Sequence, residues 1–381
     1  MRRGIRRSAL IVAWIVALLC AGCAVPESKL PDLPQDVVAA EQRSQQIAQL
    51  RKYYSELRRL DTVAFRIRTA NVADCKNRIA PQIGLTAATP RSLPRKYQSY
   101  TSEALGIGWT RPTAISVVEG SPAAQAGIVA GDNVIALNDE AIPLWGITRW
   151  INRRLLDNGT APIKVNIRRG GVDQVITATP VMGCSIPIQY VVDERANASA
   201  SDTRILIHSG YFALARSDAD IAMVIGHELA HSNLGHLDKK RWNFLLGSAT
   251  GAAIDVGIQA GGISTGGAFK KKFGMMGVMA FSVAFEREAD YVGTYYVARA
   301  GYDLKGTEDI WRKIAFVSPA NILPNNSHPV TAARYVQIQK TREEIEDKKR
   351  RGLPLDPELK YVAVEHDESD VTADSTADDA S

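Results

Sequence analysis

The first polar stretch of the chain repeats apolar residues at helical spacing. Ile47, Leu50, Tyr54 and Leu57 lie three or four residues apart within Gln35–Asp61, a segment rich in helix formers. This spacing places apolar side chains on one face of a helix. We therefore predict an amphipathic helix here. Its apolar face packs either on the body of the protein or on a partner, and packing on the body is the simpler expectation.

Short strands and turns replace this pattern over residues 93–182, where apolar and polar positions alternate. The predicted elements are strands at Thr113–Val118, Asn133–Leu137, Ile163–Ile167 and Val172–Ala178 and a helix at Trp145–Leu156. The last two strands flank Arg-Arg-Gly-Gly and form a hairpin. Between the first two strands, Pro122 suits the first turn of a short helix and Gly127 its left-handed end.

The segment at residues 120–139, GSPAAQAGIVAGDNVIALND, resembles the sequence of a bacterial PDZ domain. The resemblance covers about 85 residues, near the usual size of one module. It implies a β-sandwich or barrel with short helices over residues 93–184. The residues at the position of the family's peptide-carboxylate loop are Leu105, Gly106, Ile107 and Gly108. Backbone N–H groups of such a loop receive a chain terminus, so the domain is either a module that binds a protein partner or a structural domain of the same fold.

A helical segment at Ser217–Gly235 contains Gly-His-Glu-Leu-Ala-His at residues 226–231. His227 and His231 lie four residues apart on one helix face, so they can offer imidazole nitrogens to a single ion. Glu228 lies beside the open coordination position, where it can take a proton from water and pass it to a leaving amine. Zinc suits such a site because it accepts tetrahedral nitrogen and oxygen ligands. A chance H-E-x-x-H is expected in only about 0.004 of chains of this composition.

A third ligand must come from another part of the chain. Glu286 and Asp290 are four residues apart and face the same way on one helix. Glu286 can then bind the ion, while Asp290 receives the N–H of a ligand histidine and sets its tautomer. Glu288 falls off this face and is predicted to be a solvated charge. His236 does not fit the spacing of a third histidine ligand, and we expect it either on the surface or in contact with a ligand.

Three short motifs in this part resemble the gluzincin peptidases of the CAAX-prenyl-protease and HtpX type. They are GHELAH at residues 226–231, EREAD at residues 286–290 and SHP at residues 327–329. The resemblance covers residues 186–345. It implies a mainly helical, thermolysin-like zinc peptidase with a small edge sheet, which binds one zinc ion per chain and cleaves extended polypeptides. Residues 197–200, Asn-Ala-Ser-Ala, and residues 205–214, ILIHSGYFAL, resemble the substrate-pairing edge strand of that family. The strand near residues 204–209 is then expected to align a peptide.

His328 and Arg334 gain a role only through this resemblance. His328 precedes Pro329, which holds it out of helical geometry. The resemblance implies that its imidazole is an oxyanion donor for the tetrahedral intermediate, and that Arg334 orients the loop or adds positive potential. Two other interpretations of His328 stay open: a latch that holds the enzyme latent, or a solvated surface residue.

Residues 244–285, between the predicted ligands, are unusually rich in Gly, Ala and Met. Asp255 and the lysines at residues 270–272 interrupt the segment, which makes it a poor candidate for a membrane-spanning helix. We expect either a pair of packed, Gly-rich helices or a cover that contacts the cleft, lipid or a partner. After Glu365 the chain is acidic and lacks aromatic residues, and a charged, disordered tail is predicted for residues 346–381.

The N-terminus has the pattern of an export signal. Arginines at positions 2, 3, 6 and 7 precede the apolar run Ala9–Leu19, which is shorter than the roughly 20 residues that span a bilayer. The next four residues, Cys-Ala-Gly-Cys, resemble a bacterial lipobox, although Cys20 departs from its usual Leu. The resemblance implies a signal peptide at residues 1–23, a lipid anchor on Cys23 and, since Ala24 is not Asp, an outer-membrane lipoprotein that faces the periplasm. An uncleaved anchor or an ordinary cleaved signal is the alternative.

Cys75 and Cys184 are the cysteines that remain after such processing. An even pair of thiols in an oxidising compartment predicts a disulfide. Two unrelated thiols would give the same count.

The composition of the 381-residue chain changes this picture little. Hydrophobic residues at 45% and charged residues at 23% are ordinary for a globular protein, and the net charge of +5 is modest. No basic run interleaves with aromatic residues, so the sequence does not support nucleic-acid binding. We predict a multidomain α+β chain with a signal peptide at 1–23, a linker and helix at 24–92, a PDZ-like domain at 93–184, a zinc metallopeptidase domain at 185–345 and a tail at 346–381.

Two functions fit these predictions. The first is a zinc-dependent endopeptidase of the bacterial cell envelope, in quality control of misfolded or unassembled envelope proteins. The alternative is a zinc-containing chaperone or assembly factor that acts through the PDZ-like domain. A general base at Glu228 favours the enzyme, because a structural metal site needs no base.

Overall fold

The chain folds as an α+β protein in which a strand-rich part is followed by a helical part. A computed structural model describes residues 28–201, 203–280, 282–317 and 332–358. Two units are distinguished, residues 1–48 and residues 49–381. The predicted signal peptide, Cys23, His328 and the end of the predicted tail lie outside the described residues.

A long helix is followed by short strands and helices, and then by a series of longer helices. The described helices are α1 (Gln35–Ala70), α2 (Arg95–Gln98), α3 (Thr101–Leu105), α4 (Pro122–Gln125), α5 (Ile147–Asn158), α6 (Ser209–Leu214), α7 (Asp218–Asn233), α8 (His236–Ala260), α9 (Ala268–Ala280), α10 (Ser282–Arg299), α11 (Asp309–Val317) and α12 (Ala332–Arg350). The described strands are β1 (Ile79–Gln82), β2 (Leu85–Ala88), β3 (Thr113–Val117), β4 (Asn133–Leu137), β5 (Glu140–Ala141), β6 (Ile163–Arg169), β7 (Val172–Ala178), β8 (Val181–Cys184), β9 (Ile188–Val191), β10 (Ala198–Ala200) and β11 (Ile205–His208).

Helix α1 confirms the predicted helix and extends it to Ala70. Leu50 and Tyr54 of the predicted apolar face are buried, and the face continues through Val63 and Ile67. Spacings of three and four residues keep these side chains on one side of the helix. They pack in apolar clusters with the strand-rich and helical parts, so the apolar face packs on the body of the protein, as expected.

A six-stranded antiparallel sheet forms the centre of the strand-rich part. Its strands follow the order β2-β3-β4-β6-β7, and β5 pairs with β4. Alternation along β6 buries Ile163, Val165 and Ile167 in one core with the apolar face of α5, while Lys164 stays exposed. The predicted strands, the hairpin and the helix that became α5 are confirmed. The short helix α4 also forms as predicted, and Gly127 after it has a φ of +94°.

The sheet begins before the predicted domain boundary at residue 93. β2 pairs with β3, and β1 pairs with β8, so residues from Ile79 onward belong to the strand-rich part rather than to a linker. The sequences of β1 and β2 alternate little, and Pro81 and Gly84 are typical of turns. Pairing with distant strands, rather than a local pattern, makes these residues strands.

A disulfide joins Cys75 to Cys184, whose Cα atoms lie 5.5 Å apart. Cys75 ends the 3₁₀ turn after α1, and Cys184 ends β8, so the bond connects the two ends of the strand-rich part. Next to it, Nε of Arg68 donates to the carbonyl oxygen of Cys184 at 3.0 Å. The end of α1 is thereby held to the last strand of this part.

Helix α7 lies at the centre of the helical part. The hydroxyl of Ser217 accepts from the amide of Asp220 and caps the helix at its predicted start. Apolar side chains on several sides of the helix, among them Ile221, Val224 and Leu229, are buried. A helix that is apolar all round is buried in a core, and the polar groups that α7 carries must then find partners inside the protein.

A three-stranded sheet beside α7 has the order β10-β11-β9. β11 pairs antiparallel with β10 and parallel with β9, so the strand near residues 204–209 is the central one. The prediction that the strand near residues 204–209 is an edge is therefore wrong, because β9 and β10 cover its two sides. Residues 197–200, which share the resemblance, do contain an edge strand, β10.

Helices α8 and α9 form the hairpin predicted as a pair of packed, Gly-rich helices. A Cβ on Gly251 would lie 2.3 Å from the carbonyl oxygen of Phe269, and a Cβ on Gly277 would lie 2.3 Å from that of Asn243. Only glycine permits backbones to approach this closely. None of the described helices combines the length and apolar composition that are needed to cross a membrane.

Helix α12 and the residues after it correct the prediction of a disordered tail from residue 346. The helix continues to Arg350, and the described chain continues to residue 358. Arg299 holds this segment, since its Nε donates to the carbonyl oxygen of Leu355 at 2.8 Å and its Nη2 pairs with Asp356 at 2.6 Å. Composition alone did not reveal these contacts, because the partner lies far away in the sequence.

Candidate metal centre

Helices α7 and α10 approach each other closely where both carry glycine. A Cβ on Gly226 would lie 2.7 Å from the carbonyl oxygen of Gly293, and a Cβ on Gly293 would lie 2.8 Å from the amide nitrogen of His227. A side chain at either position would separate the helices. Sequence analysis missed both glycines. Gly226 directly precedes the His-Glu motif, and Gly293 lies two helical turns beyond Glu286, which is the signal that could have singled them out.

Three potential ligand side chains converge between these helices. The Nε2 atoms of His227 and His231 lie 3.1 Å apart, and each lies 3.3 Å from a carboxylate oxygen of Glu286. Ligand atoms about 2.0–2.1 Å from a tetrahedral zinc ion lie about 3.3–3.4 Å from one another. All three side chains are buried. Their spacing and chemistry therefore fit zinc.

Hydrogen bonding on the far side of the first imidazole determines which of its nitrogens carries a proton. Nδ1 of His227 lies 2.8 Å from Oδ1 of Asp290, and an ionised carboxylate can only accept, so Nδ1 is the N–H. In the neutral ring, Nε2 then presents its lone pair to Glu286. Burial alone would lower the pKa of His227, but the hydrogen bonds to Asp290 and Glu286 raise it to about 9. The carboxylates of Asp290 and Glu286 therefore favour positive charge at the point where the ligands converge, as they would in a site that binds a metal cation.

Arg334 of α12 extends this arm of the site. Its guanidinium donates to both oxygens of Asp290, from Nε at 2.6 Å and from Nη2 at 2.8 Å, and its Nη1 lies 3.4 Å from Glu286. Burial would raise the pKa of Asp290, but the charges and hydrogen bonds of Arg334 and His227 offset this and hold the pKa below its ordinary value. Asp290 is thus a charged acceptor for His227, and bidentate pairing with Arg334 sets its plane.

The indole of Trp311 packs against both members of this arm. Its ring centre lies 5.1 Å from that of His227, and the guanidinium of Arg334 lies 4.6 Å from the indole centroid. A cation over the face of Trp is attracted to the ring electrons. The aromatic ring therefore excludes water from the Arg334–Asp290–His227 arm while leaving its charges stabilised.

Glu228 lies in a cleft of about 860 Å³ together with His231. Its side chain is buried. Burial would lower the pKa of Arg334, but the negative charges of Asp290, Glu286 and, to a smaller extent, Glu228 raise it. Lys240 of α8 lines the same cleft, with Nζ 3.6 Å from Oε1 of Glu286. A carboxylate placed beside a metal site and open to a cleft can serve as a general base.

The cleft lies between an edge strand and a helix. Its lining includes residues 197–201, which contain β10, and Met275, Val278 and Met279 of α9. Among the described strands, β10 pairs with β11 alone, so its second edge offers backbone N–H and C=O groups. An extended polypeptide can add to such an edge as a further strand.

The structure selects one of the two expectations for His236 and corrects the expectation for Glu288. Nδ1 of His236 lies 2.9 Å from Nδ1 of His231, which resolves the choice between the surface and contact with a ligand in favour of contact. Glu288 is not simply a solvated charge: it is 46% exposed, but its Oε2 lies 2.9 Å from Nε2 of His236. The turn at Gly235, with a φ of +66°, starts α8 in the direction that brings His236 back to α7 and α10.

The predicted peptide-carboxylate loop at Leu105–Gly108 is built differently from expectation. Gly106, with a φ of +69°, ends α3. The amides of Gly106 and Ile107 donate to the carbonyl oxygens of Ser102 at 2.8 Å and Thr101 at 3.4 Å. These two amides thus close a helix, and the side chain of Ile107 is buried in an apolar cluster.

Comparison with known proteins adds a family to this geometry. Residues 181–342 match the model of Peptidase family M48. A search of curated proteins found no match. Among solved structures, the HtrA-type protease AlgW with decapeptide matches at 22% identity and a TM-score of 0.22, over 27% of this chain and 30% of that one. A variant of the same protease matches at 21% identity and the same TM-score, over 27% of this chain and 29% of that one.

The similarity to these two solved structures does not indicate a shared fold, because a TM-score of 0.22 is too low. The chain spans less than a third of their length. The family match does bear on the site, since residues 181–342 contain the converging ligands, Arg334 and all the residues that line the cleft except Lys76 and Arg78. The similarity of residues 181–342 to this family, together with the converging ligands, indicates a zinc metallopeptidase, an enzyme that hydrolyses peptide bonds.

Proposed function

We propose that this metallopeptidase is an endopeptidase, that it holds one zinc ion through His227, His231 and Glu286, and that it cleaves extended polypeptides. The observation that carries the proposal is the arrangement of the cleft: Glu228 and His231 lie in it together with the edge strand β10. An edge strand next to the ligands allows a substrate to be held by its backbone. Recognition through the backbone suits a substrate that is unfolded and can bind in the middle of its chain.

The residues of the chain divide the work of hydrolysis between them. Zinc, when bound, acts as a Lewis acid that polarises a carbonyl oxygen and makes water a better nucleophile. Glu228 takes a proton from the attacking water and passes it to the leaving amine. Asp290 and Arg334 keep Nε2 of His227 directed at the ligand cluster. His328 is proposed as the oxyanion donor on the SHP motif alone, since it lies outside the described residues.

For the strand-rich part we propose a PDZ-like domain that begins at Ile79. The short helix α4 at the GSPAAQAG motif and the antiparallel order of the sheet support it. Capture of a peptide terminus at Leu105–Gly108 has less support, because the amides of Gly106 and Ile107 already close α3. A structural role, in which this part and α1 hold the peptidase domain, fits the buried disulfide at Cys75 and Cys184.

We further propose that the enzyme works in the bacterial envelope, anchored by lipid on Cys23, on misfolded or unassembled proteins. The signal-like N-terminus supports export, and a disulfide suits an oxidising compartment. The alternative is a zinc-containing chaperone or assembly factor. Both would bind unfolded chains, but only the enzyme needs Glu228.

One assay separates these functions. Purified protein is incubated with a reduced, alkylated polypeptide, with and without a zinc chelator, and the fragments are identified by mass spectrometry. We expect one zinc ion per chain, internal cleavage that stops with chelator and returns with added zinc, and cleavage by Glu228→Gln that is slower by about 10²–10⁴-fold. Binding of the unfolded polypeptide without any cleavage, in protein that holds zinc, would favour the chaperone.

A further inference from the structure

The second imidazole of the His-Glu motif is backed by a third imidazole. Nδ1 of His231 lies 2.9 Å from Nδ1 of His236, and Nε2 of His236 lies 2.9 Å from Oε2 of Glu288. Both distances are those of good hydrogen bonds. His236 is buried, so the contact between the two rings is shielded from water.

The carboxylate at the end of this chain determines the proton positions in both rings. An ionised Glu288 can only accept, so Nε2 of His236 is an N–H. In neutral His236, Nδ1 then carries a lone pair and accepts from Nδ1–H of His231. Nε2 of His231 is left with its lone pair, and this is the atom that lies 3.3 Å from Glu286 and 3.1 Å from Nε2 of His227. The tautomer of His231 is therefore the one that a metal ligand requires.

Packing holds His236 in this position independently of the hydrogen bonds. Its ring is stacked on Phe285, with centroids 4.7 Å apart and planes inclined by 23°. Phe285 directly precedes Glu286, and Glu288 lies two residues beyond it, so both contacts come from the helix that carries the third ligand. His236 itself opens α8 directly after Gly235. The hydrogen-bonded series Glu288–His236–His231 thus connects α10, α8 and α7 around the ligand cluster.

We propose that His236 and Glu288 are positioning residues for His231, as Asp290 and Arg334 are for His227. The inference rests on the proposed function, in which His231 binds zinc. The two arms differ in strength. Arg334–Asp290–His227 is a buried, charged pair with an imidazole, whereas Glu288–His236–His231 ends at a carboxylate that is 46% exposed. A positioning partner of a ligand histidine typically changes metal affinity 10–100-fold, and we expect the His231 arm to lie toward the lower end.

The test compares two substitutions of His236 in the full protein. His236→Phe keeps a ring on Phe285 but removes the acceptor, whereas the amide oxygen of His236→Asn can replace the accepting nitrogen. Zinc affinity is measured by competition with a chromogenic chelator, and the melting temperature is measured in the metal-free protein. We expect His236→Phe to weaken zinc binding by about 10-fold or more, His236→Asn to restore most of the affinity, and the metal-free melting temperatures to stay within a few degrees.

Glu288→Ala supplies a second measurement that does not disturb the core. We expect it to weaken zinc binding by roughly 3–10-fold, as a more distant member of the same arm. Its matched control is Glu343→Ala, which removes an exposed carboxylate that pairs with Lys340 on α12, and which we expect to leave the affinity unchanged.

Several outcomes overturn the proposal. They are an unchanged zinc affinity in His236→Phe, an affinity of His236→Asn as low as that of His236→Phe, and a loss of metal-free stability with no loss of affinity, which would make His236 merely structural. If His236→Phe does not fold, equal affinities of Glu288→Ala and Glu343→Ala overturn it instead. A wild-type protein that binds no zinc would contradict the proposed function. This result is distinct from those above, because it is measured without any variant.

Discussion

The ligand cluster and the α8–α9 hairpin both depart from the usual distribution of residues, in opposite directions. In the cluster, Glu286, Asp290 and Arg334 are charged and fully buried. In the hairpin, Trp242, Leu246 and Val256 are apolar, and they are 63%, 61% and 67% exposed. Yet both are made in the same way, by glycines that let two helices approach within backbone contact. Close approach can therefore serve either to gather polar groups inside or to leave apolar faces outside.

The two regions differ in whether their unusual side chains have stabilising partners within the described residues. Buried charges are tolerated where each has a partner of opposite charge or a hydrogen bond, and the cluster supplies these from its own chain. The outward apolar face of α8 receives no such compensation from the described residues, and Lys270, Lys271 and Lys272 lie on the neighbouring helix. Changes in the cluster should therefore disturb function and stability strongly, and changes on the hairpin face should not.

The largest expected effect is that of Glu286→Ala. Loss of one of three ligands should weaken zinc binding by more than the roughly 10–100-fold expected for Asp290→Ala, which removes a partner of a ligand. Zinc content after dialysis, measured by atomic emission, tests both variants. Should Glu286→Ala keep its zinc while Asp290→Ala loses it, the ligand assignment is wrong.

Glu228→Gln should come next. Replacement of the carboxylate by an amide removes the general base but keeps the shape of the side chain, and turnover should fall by about 10²–10⁴-fold. Zinc content should stay near that of the wild type, because Glu228 is not a ligand. Steady-state cleavage of a fluorogenic peptide measures the rate, and a variant that keeps wild-type turnover would remove Glu228 from the mechanism.

Gly293→Ala should separate α7 from α10. Its Cβ would meet the amide nitrogen of His227 at 2.8 Å, and overpacking of this kind typically costs about 1–3 kcal/mol of the unfolding free energy. Zinc affinity should fall in parallel, because the shift moves His227 away from Glu286. The matched control is Gly257→Ala on the hairpin, where a Cβ meets nothing within 4 Å; this variant should stabilise α8 by up to about 1 kcal/mol.

Gly251→Ala tests whether the hairpin is a separate packing unit. Its Cβ would lie 2.3 Å from the carbonyl oxygen of Phe269, so α8 and α9 should separate near the tip of the hairpin. We expect faster amide hydrogen exchange across both helices with zinc affinity within about threefold of wild type, since disturbances this far from the ligands are usually independent of them. Loss of zinc comparable to that of Gly293→Ala would show that the two regions are one unit.

The smallest effect is expected on the hairpin face. Leu246→Ala should change the unfolding free energy by less than about 0.5 kcal/mol, as surface substitutions do. The same substitution at Leu229, which is fully buried on α7, should cost about 2–5 kcal/mol. Chemical denaturation of both variants decides the matter. Equal losses would mean that the face of α8 is covered by something within the chain.

Much of the fold could be predicted because it is local. The cap at Ser217 and the left-handed Gly127 follow from steric rules that act within one turn. Alternation likewise located the strands from Thr113 to Ala178. The early strands β1 and β2 escaped prediction because their sequences alternate little, and only pairing with β8 and β3 makes them strands.

The sequence by itself determined the chemistry of the site. Two histidines four residues apart must share a helix face, and Glu286 and Asp290 must share another, because 3.6 residues make one turn of an α-helix. That geometry requires no knowledge of the rest of the chain. It was enough to predict a metal site and to choose Glu286 over Glu288 as the ligand candidate, while the peptidase activity followed from the resemblance of the three motifs to a known family.

Only the tertiary structure decided how these faces meet and what supports them. The contact of Gly226 with Gly293 sets the distance between the helices, and the turn at Gly235 brings His236 onto His231. The return of β9 makes β10 the edge strand, and Arg299 holds the chain beyond α12. Each of these depends on atoms that are distant in sequence. Local rules reach only a turn or a strand pair, and packing alone brings such atoms together.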